Sequence, residues 1–393
     1  MILRVALACT PPPAVPELPA LDSGLEELAR ARIVATGDIM MHGGVKAAAE
    51  GADEGIDGIS TNHDGYDALY AEVAPDLRAA DVAFANLEFP VAPPRGRAHT
   101  REMVFAAPTV VLDSLADAGF DAVSFANNHV YDQGRAGFVE TLDQLDRVGI
   151  AAVGAGRTCA EAEGPRWFEL DGIRVAFLAY TVQFNDYRNG ARSTPCSAFF
   201  VEDRARSAVA QAREDGAELV VLSLHWGTEY ATTPSPRQQA LAHRLVAAGV
   251  DVLVAAHPHV LQPVEVVRAD DGRIGVVAYS LGNFVSNQES DYRLGVDPDA
   301  EGNPRDGALL GISVVRRRYT TDEGPIERVE LADLDVTPLW TRNDRFRVPA
   351  IAVTTPEVEA DTLAANGRLD EAEALLRRGD AVRALLDGRS PGP

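Results

Sequence analysis

The chain has 393 residues, of which 46% are hydrophobic and 24% charged, and its formal net charge is −23. This composition is that of a globular protein, and it excludes intrinsic disorder over most of the length. The acidic balance argues against nucleic acid as a partner, because phosphate backbones are bound by clustered Lys and Arg. No apolar run approaches the roughly 18 residues of a membrane-spanning helix. Three cysteines are too few for a disulfide framework, so Cys159 and Cys196 are expected to be ordinary small residues.

Residues 1–30 are predicted to be an N-terminal tether. The apolar start MILRVALA is followed by Cys9 and a Pro-rich stretch, which resembles the end of a bacterial lipoprotein signal. Lipidation of Cys9 would anchor the protein to a membrane in the cell envelope, on the extracytoplasmic side. The alternative is an unmodified tail, which would leave the protein in the cytoplasm. Residues 25–30 are predicted to form a short helix at the end of the tether.

From residue 31 to residue 345 the sequence alternates apolar strand-like runs with amphipathic helix-like runs. The predicted strands include IVATG, VAFANL, AVSFA, RVAFLAY, LVVLSL, VLVAA and GVVAYSL, and the predicted helices cover residues 110–120, 137–149, 205–215 and 237–249. This alternation indicates a layered α/β domain. Residues 295–307 are predicted to be a surface loop before two late strands. Residues 346–393 are predicted to be a helical C-terminal tail.

Polar residues follow the apolar runs of the predicted strands. They form six groups: Gly37-Asp38, Asn86–Glu88, Asn127–His129, His225, His257–His259 and Ser280–Asn283. Ligand sites of α/β sheets assemble at the carboxyl ends of strands. Six polar strand ends therefore predict one converging site.

The residue types in these groups indicate metal binding. Carboxylates, an amide and imidazoles make a mixed oxygen and nitrogen set that suits Mn, Fe or Zn. The set consists of Asp38, Glu88, Asn128, His225, His257 and His259. Six ligands exceed the need of one tetrahedral ion. They fit two ions bridged by one carboxylate, an arrangement that clamps the attacking and leaving oxygens of a phosphoester.

Two short motifs refine this prediction. Alternation along an extended strand would place His257 and His259 on one side of the chain, although two surface histidines are the alternative. The tandem Asn127-Asn128 either forms a turn or supplies an amide ligand beside His129, which could donate a proton. Asp132 could accept the other N–H of His129 and so fix its tautomer.

Several of these segments together resemble a known family. The segments are ATGDIMMH, ANLEFPV, FAAPTVVLDSLADAGFDAVSFANNHVYDQG, LSLHWGTEY, RQQALAHRLVAAGVDVLVAAHPHVLQPVE and YSLGNFV. In this order they are similar to the bacterial CapA-type poly-γ-glutamate capsule biosynthesis family of the metallophosphoesterase superfamily. The resemblance implies a four-layer αββα sandwich with a dinuclear metal site at the strand ends.

The resemblance also implies roles for individual residues. Asp38 and His259 would bind the first ion, Glu88 would bridge, and Asn128, His225 and His257 would bind the second ion. His129 would assist the leaving group with Asp132 behind it. The superfamily's Asp-x-His motif is absent, because His42 follows Asp38 by four positions, so His42 is a weaker candidate for the first ion. Candidates for substrate contact are Glu229, Tyr230, Asn283 and Arg237.

Two functions remain open from the sequence. The first is a divalent-metal-dependent hydrolase of phosphoesters, acting in capsule, poly-γ-glutamate or cell-envelope metabolism on a phosphoester or an anionic polymer. The second is a non-enzymatic envelope assembly or polymer-tethering protein with a structural metal site and capsule-synthesis partners. The presence of His129 beside a full set of ligands favours the enzyme.

Overall fold

The computed structural model describes residues 26–55, 62–92, 104–185, 196–270, 272–321 and 324–386. Cys9 and most of the predicted tether lie outside these residues, so lipidation stays a prediction. None of the helices within the described ranges combines the length and the apolarity needed to cross a bilayer.

The first sheet has eight strands and mixes parallel and antiparallel pairing. Its parallel half contains β1 to β4, and β14 to β16 extend it in antiparallel fashion beyond β1. A short strand, β13, pairs with the end of β1. The strands are β1 Glu26–Ile39, β2 Val82–Leu87, β3 Ala122–Ser124, β4 Ala151–Val153, β13 Asn283–Val285, β14 Asp306–Thr321, β15 Gly324–Asn343 and β16 Ile351–Thr354.

The second sheet has six strands in the order β11-β12-β10-β9-β7-β6, of which the inner four are parallel. A two-stranded pair, β5 with β8, lies apart from both sheets. The strands are β5 Ala155–Gly156, β6 Arg166–Leu170, β7 Ile173–Thr181, β8 Cys196–Ser197, β9 Leu219–His225, β10 Val252–Ala256, β11 Leu261–Arg268 and β12 Ile274–Leu281.

Helices cover the outer face of each sheet. The first sheet carries α1 Gly43–Gly55, α2 Ala74–Arg78, α3 Val110–Ala118, α4 Gly134–Val148 and a 3-10 helix, Asn62–Leu69. The second sheet carries α5 Cys159–Glu163, α6 Glu202–Glu214 and α7 Pro236–Ala247. After β16 follow α8 Pro356–Ala365 and α9 Leu369–Leu386, so the predicted helices of this region are present. The proposed domain division at residue 345 stays a prediction.

The strand β7 shows how the layers form. Val175, Phe177 and Ala179 lie in the apolar core between the two sheets, whereas the alternate residues face the core beneath the outer helices. A strand buried on both faces reads as a continuous apolar run. The predicted four-layer αββα sandwich is therefore confirmed.

The structure corrects three local predictions. Residues 26–30 are not helical: they extend β1, where Glu26 pairs with Arg318 of β14 and the two side chains form an ion pair. Cross-strand pairing here overrides local helix propensity. The stretch 295–307 is only partly a surface loop, since it contains the 3-10 helix Asp299–Arg305 and buries Arg305 against the Trp340 ring. Cys159 and Cys196 form a disulfide, which residue spacing alone could not reveal.

Candidate metal centre

The carboxyl ends of the parallel strands of both sheets meet at one edge of the sandwich. Asp38 lies at the end of β1, Glu88 follows β2 directly, and His225 ends β9. A close backbone approach fixes the geometry, because Asp38 donates its N–H to the carbonyl of Gly282 at 2.9 Å. A Cβ at Gly37 would lie 1.9 Å from that oxygen, so only glycine fits before Asp38.

Five buried side chains and one exposed one form three overlapping clusters with metal-ligand chemistry. Within each cluster the ligand atoms all lie within 4.8 Å of one another. The clusters are Asp38–Glu88–His259, Glu88–His225–His257 and Glu229–His257–His259. Glu88 is common to the first two, as expected of a bridging carboxylate.

The two buried acids of the centre lack the usual cationic partners. Asp38 and Glu88 are fully buried, and within the described residues their ion-pair partners are all histidines. Glu88 Oε1 lies 3.5 Å from His225 Nε2 and 3.9 Å from His259 Nε2, yet it has no hydrogen-bond partner among the described residues. Burial first, and then the neighbouring Asp38, raises the pKa of the Glu88 carboxyl well above its usual range.

Burial favours the neutral, metal-binding form of two histidines, His225 and His257. Burial lowers the pKa of His225 well below its usual range and that of His257 to about 4, and the neighbouring histidines add to both shifts. His225 Nε2 lies 2.8 Å from Asn128 Oδ1. His257 Nδ1 is buried and has no hydrogen-bond partner in the described part of the chain.

These observations test whether divalent ions fit the centre. A buried carboxylate oxygen and a buried imidazole nitrogen without partners are costly unless something binds them. Both atoms belong to residues of the oxygen and nitrogen clusters, and no Cys takes part in these clusters. The residues therefore fit Mn, Fe or Zn.

The two histidines of the His-Pro-His motif face the site for a different reason from the predicted one. Their φ angles are 97° for His257 and 58° for His259, so neither residue is extended. Left-handed backbone at non-glycine residues persists only where surrounding contacts hold it. Here Asp38 Oδ2 accepts the N–H of His257 at 3.2 Å and lies 3.0 Å from His259 Nδ1. The carboxylate, not strand alternation, aligns the pair.

The turn interpretation of the tandem asparagines is confirmed for Asn127, and the role of Asn128 as a metal ligand stays a prediction. Asn127 Oδ1 accepts the N–H of His129 at 3.1 Å, which is a side-chain turn. Asn128 instead directs its amide oxygen at His225. Asp132 Oδ2 lies 2.7 Å from His129 Nδ1, as expected, and it also accepts the N–H of Phe105. The Phe105 ring packs on the imidazole of His129, with the centroids 4.5 Å apart.

Three further amides contact the site and were not assigned roles from the sequence. Asn86 donates to Asp38 Oδ1 at 2.8 Å, Gln183 Nε2 lies 2.9 Å from His257 Nε2, and the Asn185 amide lies 3.4 Å from His129 Nε2. Asn86 lies at the end of β2, where the strand-end rule could have found it, whereas Gln183 and Asn185 follow the end of β7 by two and four positions.

The remaining candidates are less central. His42 belongs to none of the three clusters, and its Nδ1 accepts the N–H of Asn287 at 3.2 Å. Asn283 is buried and lies 3.2 Å from His259 Nδ1, so it contacts a ligand rather than solvent.

Tyr230 is half-exposed beside His259, with ring centroids 6.3 Å apart. Arg237 is exposed near the start of α7. Glu229 is exposed but belongs to the third cluster.

The four layers and the strand-end site define a protein with the metallophosphoesterase type of fold. The chain belongs to the family described as bacterial capsule synthesis protein PGA_cap, whose sequence model matches residues 32–288. This confirms the family that the motifs resemble.

Two curated relatives and two solved structures illustrate the similarity. Capsule biosynthesis protein CapA of Bacillus anthracis is 32% identical over 258 residues, which are 64% of this chain and 59% of that protein. The chain thus spans less than two thirds of this relative. PGA biosynthesis protein CapA of Bacillus subtilis is 30% identical over 296 residues, 74% of this chain and 72% of that protein. The calcineurin-like phosphoesterase YfkN from Bacillus subtilis has a TM-score of 0.42 at 12% identity and covers 88% of this chain and 99% of its own. A 5'-nucleotidase precursor from Thermus thermophilus has a TM-score of 0.43 at 17% identity and covers 88% and 59%.

Proposed function

We propose that the protein is a divalent-metal-dependent hydrolase of phosphoesters that acts in capsule or poly-γ-glutamate metabolism. The observation that carries the proposal is the buried Glu88 carboxylate, which two ligand clusters share and which no Lys or Arg of the described residues neutralises. The names of the two Bacillus relatives support the biological setting.

The ligands divide naturally between two ions. Asp38, Glu88 and His259 would hold the first ion. Glu88, His225 and His257 would hold the second, together with the amide oxygen of Asn128. When bound, such ions stabilise the negative charge that develops on the oxygens of a phosphoester undergoing displacement.

His129 supplies the proton that the leaving group needs. Its Nδ1 faces the Asp132 carboxylate at 2.7 Å, which holds that nitrogen protonated and leaves Nε2 for the substrate side. The neighbouring Phe105 ring, tilted by 52° to the imidazole, and the buried position keep the imidazole in one orientation. Asp132 is a positioning residue, because it acts through His129.

The cell envelope is the proposed location. The disulfide between Cys159 and Cys196 supports it, because disulfides persist in oxidising compartments. Anchoring through a lipid on Cys9 remains part of this proposal. Fractionation of cells with intact-mass measurement tests both, and recovery of reduced, unmodified protein from the cytosol would contradict them.

The rival is an assembly or polymer-tethering protein with a structural metal site. The test is elemental analysis of the reconstituted protein, followed by assays with Mn²⁺ on a panel of phosphoesters and γ-glutamyl peptides. We expect bound ions and phosphoester hydrolysis, both lost in Asp38→Ala and both retained in the exposed control Asp143→Asn. Bound ions without any hydrolysis would favour the rival, and absence of ions would overturn both functions.

A further inference from the structure

The third ligand cluster is not accounted for by the two ions as divided above. Glu229 is the one exposed member among the clustered residues, and its carboxylate lies within 4.8 Å of ligand nitrogens of His257 and His259. Within the described residues it forms no hydrogen bond and no ion pair. A carboxylate can only accept hydrogen bonds, and a cation placed between it and the two buried imidazoles would bind all three groups.

The backbone around Glu229 holds it against the histidine loop. Trp226 donates its N–H to the carbonyl of Ala256 at 3.1 Å, and Tyr230 donates its N–H to the carbonyl of Pro258 at 2.8 Å. Tyr230 adopts a φ of 62°, an unusual conformation for a residue with a side chain. The turn that carries Glu229 is therefore tied at both ends to the segment that carries His257 and His259.

Counting ligands shows which ion lacks a partner. The second ion has four protein ligands, the usual number for Zn-type sites, whereas the first has only three: Asp38, Glu88 and His259. His42 does not complete the set, since it lies outside the clusters and its Nδ1 accepts a backbone N–H.

We propose that Glu229 is a further protein ligand of this metal centre and binds an ion on the side of His257 and His259. This inference rests on the proposed metal-dependent function and specifies it further.

The test compares Glu229→Gln and Glu229→Ala with Glu289→Gln, an exposed acid nearby that belongs to no cluster. Binding of Mn²⁺ and Co²⁺ is measured by equilibrium dialysis with elemental analysis, and the visible spectrum of the Co²⁺ protein is recorded at saturation. We expect two ions in the wild type. In both Glu229 variants, one ion should stay tightly bound and the other should weaken by about 100-fold or more, since even residues behind the ligands contribute 10–100-fold.

The spectrum distinguishes a ligand from a nearby charge. Loss of a coordinating carboxylate changes the Co²⁺ spectrum at saturation, whereas loss of a remote charge only lowers affinity. Two ions bound to Glu229→Ala with an unchanged spectrum would overturn the inference, whatever the affinity, and leave the proposed function standing. A wild type that binds no ion would overturn the proposed function itself.

Discussion

Two carboxylates in the interior of this protein, Asp306 and Glu88, differ in the groups that surround them. Asp306, at the start of β14, receives two hydrogen bonds from the guanidinium of Arg378 on α9, at 2.5 and 3.1 Å. Burial raises the pKa of Asp306 to about 6 although Arg378 opposes the shift. Glu88 is more deeply buried than Asp306, but its ion-pair partners within the described residues are all histidines, and one of its oxygens has no hydrogen-bond partner there.

This difference in partners distinguishes acids that stabilise the fold from the acid proposed to bind metal. A buried acid that serves the fold is neutralised by a cation of the chain, because an unpaired buried charge is costly. Asp251 follows the same rule as Asp306, with Arg213 as its partner and the N–H of Val220 as a second donor. Glu88 breaks the rule at the strand ends, where ligand sites form, which is the pattern expected of the proposed metal ligand.

The largest effect on turnover is expected at His129, where a substitution should impair catalysis without loss of the bound ions. His129→Asn should keep the bound ions and lower turnover by roughly 10²–10⁴-fold, the range for loss of a general acid. Asn128→Ala should lower occupancy of the second ion and turnover together, because its amide oxygen faces His225. Steady-state kinetics and metal analysis on the same samples check both.

Asp132→Ala should have an intermediate effect on turnover, because Asp132 acts through His129. It removes the partner of His129 Nδ1 without touching the clusters, so turnover should fall less than in His129→Asn, at full metal content. Loss of metal in His129→Asn, or wild-type turnover, would show that this histidine has been given the wrong role.

The layered fold was predictable because its strands and helices carry complete local signals. The strand β7 reads as an apolar run because both of its faces are buried. At the start of α7, Ser235 and Gln238 form a capping box and Pro236 is the first helical residue. The start of β1 was not predictable, since the sequence from Glu26 to Arg30 is strand only through its pairing with β14.

The proposed metal ligands were predictable for the same reason, whereas the side chains that contact these ligands were less so. Asp38 and His225 directly follow apolar strands, so position along the chain indicates position in space. Gln183, by contrast, reaches His257 only because the segment after β7 turns back towards the second sheet. The disulfide partners Cys159 and Cys196 are separated by 37 positions, and only the fold brings them together.

A further prediction concerns Asp306, the acid that Arg378 neutralises. Asp306→Asn should lower the free energy of unfolding by up to about 3–5 kcal/mol, the range for a broken buried ion pair, because it leaves the buried Arg378 guanidinium with only the exposed Asp299 carboxylate, at 3.7 Å, as counter-charge. Urea unfolding measures this loss. The matched control is Asp333→Asn, an exposed partner of Arg30, which should cost at most about 1 kcal/mol. Equal effects in the two variants would mean that the Arg378 pair is not a structural element.

The last prediction is that neutralising Glu88 stabilises the metal-free protein, whereas neutralising Asp306 destabilises it. Without metal, Glu88→Gln should raise the free energy of unfolding by about 1–3 kcal/mol, because the amide removes the cost of burying a carboxylate whose oxygen is unpaired. The control is Glu359→Gln, since Glu359 is also buried but faces Arg342 and Arg347, so this change should destabilise.

Adding Mn²⁺ should then invert the ranking of wild type and Glu88→Gln. A bound ion stabilises the folded wild type by about 2.7 kcal/mol at a concentration 100 times its Kd, whereas the variant has lost the carboxylate common to two clusters. Urea unfolding of both proteins with chelator and with Mn²⁺ checks the crossing. If Glu88→Gln is less stable than the wild type in chelator, then Glu88 is a structural acid like Asp306, and the contrast between the two carboxylates fails.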